Sequence, residues 1–288
     1  MYPYLLVAPA VIFMLLIIAY PIVNSVYMSL MDYRLFKLQD VHFVGLSNYI
    51  NVLVDPIFRQ SLWNSALWTI LGVFFQFLFG LIMALLLNQS FKGRGVVRSL
   101  VLIPWVTPGI LIGLMWKWMY DGNYGVINDI LQKMHLLNDY VPWLAKSDTA
   151  LFSVILTIVW QGVPFFAIML LAGLQTIPAE LYEAANVDGA NRWQKFWHVT
   201  LPMLMPTIIV TSLLRIIWVS NSVDVIYAMT GGGPGYSSLT LSVYTFVKAR
   251  TALDFGYSST LSIYLTLILS VVLFAYLQKI CKREARLR

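Results

Sequence analysis

Long runs without a charged side chain dominate the chain, and short clusters of acidic and basic residues separate them. A helix crossing the hydrocarbon core of a bilayer needs about 20 largely apolar residues. Six windows reach that size: from the start to Asp32, from Arg59 to Lys92, from Arg98 to Lys117 and a little beyond, from Asp148 to Glu180, from Met203 to Val223 around a single Arg215, and from Asp254 to Lys279. They predict spans at about 4–30, 62–88, 99–120, 150–175, 203–223 and 256–279. A seventh uncharged window, Asp224 to Lys248, contains TGGGPGYSS at 230–238. Four glycines and a proline cannot hold a lipid-exposed helix together, so this window predicts a loop followed by a short helix.

Composition agrees with the pattern. The 288 residues are 59% hydrophobic and 11% charged, with mean hydropathy +0.76, which leaves too little polar material to coat a soluble domain. The fold class predicted is an all-α membrane protein of six transmembrane helices, residues 1–288 forming one transmembrane domain. The net charge of +6 reads as topology rather than nucleic-acid binding, because its Lys and Arg are split into small groups by long apolar runs. The 88–99 connection carries Lys92, Arg94 and Arg98 without an acid, and the tail carries Lys279, Lys282, Arg283, Arg286 and Arg288 against Glu284. The positive-inside rule makes both cytoplasmic, and six spans then put both termini and the 176–202 connection on the same side. The start, without a basic n-region or a small-residue cleavage site, reads as a retained span. Cys281 is the single cysteine, so no internal disulfide is available. Prolines 104, 108, 164 and 206 fall within or at the ends of spans, where the missing donor is compensated by neighbouring helices or water around a cavity.

Polar detail concentrates in TIPAELYEAANVDGANRWQKFWHVTLP, residues 176–202. Pro178 suits a first helical turn, Glu180 and Glu183 suit its positive end, and Gly189 is a left-handed terminator. A second short helix follows, with Asn191 as N-cap and Trp193, Phe196 and Trp197 on one stripe beside Arg192 and Lys195; Leu201-Pro202 ends it. Ala184 and Ala185 leave a smooth patch flanked by Glu183 and Asp188, a shape that fits a groove on another protein; an interfacial helix pair resting on headgroups is the plainer alternative.

Glu183-Ala184-Ala185, Gly189, and Val199-x-Leu201-Pro202 resemble the EAA signature of the inner-membrane permeases of binding-protein-dependent ABC importers, with Val199 in place of the usual Ile. The resemblance extends to FVGLSNY at 43–49, KGRGVVRS at 92–99, PWVTPG at 104–109, YGVIND at 124–129 and TGGGPG at 230–235. These are similar to sugar-type permeases related to the maltose and glycerol-phosphate importers, and TGGGP is similar to the first of their two permease subunits. The resemblance implies the type I importer permease fold. It also implies that the EAA region is a cytoplasmic coupling helix docking on an ABC ATPase dimer, with Glu183, Ala184, Ala185, Asp188, Gly189, Leu201 and Pro202 as its residues. Further implied are a related second permease subunit in a heterodimer, an extracytoplasmic solute-binding protein and a sugar substrate, in a prokaryotic inner membrane. The sequence has no G-x-x-x-x-G-K-[ST] phosphate loop, so the expectation is no cofactor on this chain, with ATP and Mg on the partner ATPase. Residues 231–234, Gly231, Gly232, Gly233 and Pro234, would face the binding protein, or form a plain turn.

Candidates for the substrate pathway are Trp160 and Gln161 in the fourth span and Arg215, Trp218, Asn221, Ser222 and Asp224 in and after the fifth. Arg215, Trp218 and Ser222 share a face at i, i+3 and i+7, offering a cation, an aromatic plate and a hydroxyl, the mixture sugars need. An intramembrane Arg is a functional hypothesis by default, with pairing to Asp224 or to helix-end carbonyls as the structural alternative. Ser220 and Val223 stand where the resembling stretch commonly has aromatics, which predicts a cavity widened for an oligosaccharide. A polyol or glycerol-phosphate substrate is the near alternative. An ion-coupled secondary transporter would want intramembrane carboxylates, and only Asp224 qualifies. An intramembrane enzyme would want a His, Ser or Glu-His constellation within spans, whereas His42, His135 and His198 all lie in connections.

Overall fold

A computed structural model describes residues 2–285, with side chains described over 6–278; Arg286 and Arg288 of the basic tail lie outside these residues, and Cys281 outside the described side chains. The described residues are mostly helical: α1 Tyr2–Met14, α2 Tyr20–Ser29, α3 Ser47–Val54, α4 Pro56–Asn88, α5 Arg94–Val101, α6 Ile103–Val106, α7 Gly109–Met119, α8 Val126–Lys133, α9 Ser147–Gln175, α10 Ala179–Val187, α11 Arg192–Lys195, α12 Leu201–Ser220, α13 Asp224–Met229, α14 Leu241–Arg250 and α15 Phe255–Ala285. Two-residue strands, β1 Met31–Asp32 and β2 His42–Phe43, pair antiparallel. Among the described residues, five helical stretches are long and apolar enough to span a membrane, or six if the bent pair Arg94–Val106 and Gly109–Met119 counts as one. Packing divides the chain into two compact units, one formed by residues up to Leu62 with those from Thr240, the other by Trp63–Leu239.

In the first unit, α1 and α2 are joined by a π-helical turn, Leu15–Ala19, into one apolar rod. Its end is fixed by polar bonds: Asn48 Nδ2 donates to the carbonyls of Ser29 (3.0 Å) and Met31 (2.9 Å), and Thr260 Oγ1 donates to Ser29 O at 3.2 Å. α15 packs on α2, α3 and α14. The connection between strands is held by Arg34, whose Nε lies 3.0 Å from Asp32 and 3.7 Å from Asp254.

In the second unit α9 is the core. Val154, Phe166, Ala167 and Leu170 are fully buried on it, and α6, α7, α12 and α13 pack around it. Two expectations are corrected here. The third apolar window is not one straight span, since α6 and α7 meet at 92°. The cause is Thr107-Pro108: a residue before proline is driven out of the helical region, and Thr107 is extended at φ −72, ψ 131. The window from Asp224 begins with helix α13 rather than with a loop. Its VIYAM stretch has no helix breaker, and Asp224 sits in the positive first turn.

Candidate coupling element and membrane pathway

The connection between α9 and α12 is ordered by its own residues. Pro178, in extended backbone, caps α10, which carries Glu180 in its first turn. Gly189 then takes φ +72, a conformation that costs any residue with a Cβ about 1–2 kcal/mol. The reversal lets the amides of Asp188, Gly189 and Ala190 bond to the carbonyls of Ala184, Asn186 and Ala185, satisfying the end of α10. Asn191 starts the next helix with a reciprocal capping box: its Oδ1 accepts from the Gln194 amide at 2.9 Å, and Gln194 Oε1 accepts from the Asn191 amide at 2.8 Å. Lys195 Nζ donates to Asn186 Oδ1 across the break, and the hydroxyls of Tyr182 and Thr200 meet at 3.0 Å.

The outer side of this element is free in the chain. Glu183, Ala184, Asp188 and Gly189 are exposed, and Val187 is 88% exposed. A Cβ placed on Gly189 would meet nothing within 4 Å. Asp188, Gln194, Lys195 and His198 line a groove of about 380 Å³ beside Gly189 and Ala185. Trp193 stacks on Phe196 at 6.0 Å and both meet Trp197 edge-on at 5.7 and 5.3 Å, with Trp193 and Trp197 exposed. One sequence expectation fails: Leu201-Pro202 does not end the second short helix. α11 runs through a π-helical turn, Phe196–Thr200, into α12, and the Leu201 amide bonds to Phe196 O. Pro202 falls in the first turn of α12, where a proline is tolerated, and the wider turn before it removes the clash a proline ring makes with the preceding helix.

Within the membrane region, Arg215 is buried and its Nε donates to Gln76 Oε1 at 2.8 Å; Gln76 Nε2 donates to Ile158 O at 2.8 Å. Three helices, α4, α9 and α12, are thus joined through one polar contact. Gly162 of α9 is required beside it, because a Cβ there would lie 2.2 Å from Gln76 Cδ and 2.4 Å from Arg215 Nη2. The guanidinium lies 5.6 Å from the centre of the Phe165 ring. Phe165 in turn meets Trp218 at 5.2 Å and Trp105 at 6.0 Å. Arg215 and Trp218 are therefore brought together, through a phenylalanine not anticipated from sequence. Trp160 faces Trp116 edge-on at 5.7 Å and Gln161 is half-buried. Ser222 lies past the end of α12, which stops at Ser220 with Asn221 as its cap, Asn221 Nδ2 being bonded to Ile217 O at 2.8 Å. Among the described residues no ion pair joins Arg215 to Asp224, which is exposed on α13 beside Gly109. Ser220 is buried, with its hydroxyl 3.1 Å from Thr69 Oγ1, which ties α12 to α4.

A family model described as a binding-protein-dependent transport system inner membrane component matches residues 76–286. The chain belongs to this family. The sulfoquinovosyl glycerol transport system permease protein SmoG of Agrobacterium fabrum is 40% identical over 280 residues, covering 97% of this chain and 90% of the relative. The trehalose/maltose transport system permease protein MalF of Thermococcus litoralis is 38% identical over 266 residues, covering 92% and 88%. The fold is that of a bacterial ABC transporter involved in import of the acidic polysaccharide alginate, with TM-score 0.82 at 20% identity over 96% of this chain and 94% of the other. The protein is a transport subunit of the inner membrane, not an enzyme.

The glycine turn of the permease is more structured than a plain connection. Thr230 Oγ1 meets Ser238 Oγ at 2.7 Å and accepts the Gly232 amide at 3.1 Å, while Ser238 Oγ donates to Gly233 O at 2.6 Å. Asn64 Nδ2 holds the far side by donating to the carbonyls of Tyr236 and Leu239, both at 3.0 Å. Gly232, at φ +95, is buried against Leu239, so it is a packing position and not a contact for another protein. Gly233 and Pro234 border a cavity of about 410 Å³ with Lys117, Tyr120 and Asp121. The Asn123 amide, 2.8 Å from Asp121 Oδ1, holds that carboxyl below its ordinary pKa.

A further polar cluster went unread in the sequence. Asp55 accepts the hydroxyls of Tyr244 and Tyr257, both at 2.6 Å, and the Ile57 amide at 2.8 Å, with Lys248 Nζ 4.6 Å from the Tyr257 ring centre. Burial pushes the Asp55 carboxyl up, but these hydrogen bonds and the Lys248 charge outweigh it and hold it below the ordinary value. Only an isolated Asp before Pro56 is visible along the chain; its partners are 189 and 202 positions away.

Proposed function

We propose that this permease forms part of the membrane pathway for a carbohydrate, delivered by an extracytoplasmic solute-binding protein and driven by an ABC ATPase docked on the α10–α12 connection. The observation that carries this reading is similarity along nearly the whole chain to two permeases named for a glycosyl glycerol and for trehalose/maltose. The exposed face of α10 and the groove beside Gly189 support the docking role, with Glu183 and Asp188 available to arginines of the ATPase. In this reading ATP and Mg bind the ATPase and not this chain, both termini are cytoplasmic, and a second, related permease subunit completes the pathway. Arg215 and Gln76 hold helices together, while the exposed faces of Trp160 and Trp218 are left for a substrate or for the second subunit. Gly231, Gly233 and Pro234 present the outer turn to the binding protein.

Binding of a panel of disaccharides, glycosyl glycerols, uronate oligosaccharides and glycerol phosphate to the purified cognate binding protein tests the substrate class. Proteoliposomes holding both permease subunits then take up the retained compound in an ATP-dependent manner, and uptake ceases when the ATPase is omitted. Retention of glycerol phosphate alone, or uptake that persists without the ATPase, contradicts the reading.

A further inference from the structure

The backbone between α10 and α12 is poorly suited to transmit a push. Gly189 sits at positive φ with open space around it, and the chain from 188 to 191 is a reversal between two helical segments. Such a break is a pivot unless side chains brace it. Two do so. Lys195 to Asn186 is exposed, where a polar pair contributes little. The Tyr182–Thr200 contact differs: Tyr182 is half-buried on the inward side of α10, Thr200 is 6% exposed, and their hydroxyls meet at 3.0 Å. Thr200 ends the π-helical turn, and one turn further Leu204 is fully buried. There a Cβ on Gly173 of α9 would lie 2.9 Å from Leu204 Cδ2, so α12 has no slack against α9. A displacement reaching Thr200 is therefore delivered into the packed core of this unit.

We propose that the Tyr182–Thr200 hydrogen bond makes α10 and the start of α12 move as one body, and that Tyr182 and Thr200 are the positioning residues that convert ATPase motion into tilting of α12. This rests on the coupling reading above. Without the bond, α10 pivots about Gly189 and the stroke is absorbed by the connection.

The test uses the complete transporter, with its ATPase, in nanodiscs, carrying Cys281→Ser and spin labels at Glu180→Cys on α10 and Val210→Cys on α12, both exposed positions. Distances are measured without nucleotide and with ATP and vanadate. The otherwise native complex gives the same distance distribution in both states, whereas Tyr182→Phe and Thr200→Val each give a nucleotide-dependent shift or broadening, the double variant no more than either single. Thr200→Ser, which keeps the hydroxyl, restores the native behaviour. A distance that changes in the native complex, or stays fixed in Tyr182→Phe and Thr200→Val, overturns the proposal, as does a Thr200→Ser variant as loose as Thr200→Val. Charge reversal by Glu183→Lys with Asp188→Lys separates the two levels. If it releases the ATPase on purification while Tyr182→Phe stays fixed, only the link fails; if the ATPase stays bound with its hydrolysis unchanged, the coupling reading fails and the link with it.

Discussion

The Gly189 connection and the Arg215–Gln76 contact are two polar features of the second unit, and they are built in opposite ways. Around Gly189 the capping bonds are short in sequence and the outer surface is exposed. Around Arg215 the partner is 139 residues away and the site is buried, with a glycine forced beside it. Polarity that is locally satisfied yet left on the surface is available to another protein. Buried polarity that joins distant helices is committed to holding them, because either group left alone in an apolar surrounding is costly.

Perturbations of decreasing size test that contrast. Gly162→Val places carbon inside both partners of the buried contact, where overpacking reaches or passes the top of its usual range of about 1–3 kcal/mol; a thermal-unfolding scan of the detergent-solubilised permease should show the largest fall here. Gln76→Leu strands the guanidinium and should cost roughly 2–3 kcal/mol, the value of a hydrogen bond to a charged group. The double variant Gln76→Leu with Arg215→Met should recover most of that loss; equal instability in single and double variants would show that the two side chains are not coupled. Asn191→Ala removes the capping box, worth about 1 kcal/mol, and should speed amide exchange over 192–200 while leaving the unfolding midpoint in place. The smallest effect concerns Asp55. A carboxylate held below its ordinary pKa stabilises the fold fully above its unfolded value of 3.8 and loses that contribution as pH falls beneath it. The midpoint of the native permease should therefore drop more steeply below that pH than the midpoint of Asp55→Asn.

Local signals carried most of what was readable. Apolar windows of span length located the long helices, and Gly189 with Asn191 marked a helix reversal whose capping bonds fall within a few residues. The bend at Thr107-Pro108 was foreshadowed by a proline, but its 92° depends on packing against α9 and α13. Gln76 and Phe165 were missed because nothing beside them in sequence distinguishes a glutamine or a phenylalanine that meets Arg215. Ser222 shows a related limit: i+7 spacing assumes that the helix continues, and α12 ends at Ser220. Asp55, Tyr244 and Tyr257 likewise become a site only through the packing of α14 and α15.

The coupling role of the Gly189 connection is the claim on which the rest depends. Gly189→Phe tests it most directly, because the position has open space around its Cβ and the fold tolerates the substitution at a cost of about 1–2 kcal/mol of backbone strain. In proteoliposomes containing the whole transporter and its loaded binding protein, ATP hydrolysis and uptake are measured together. Hydrolysis retained with uptake lost is the predicted result; uptake per ATP equal to that of the native transporter would contradict the account.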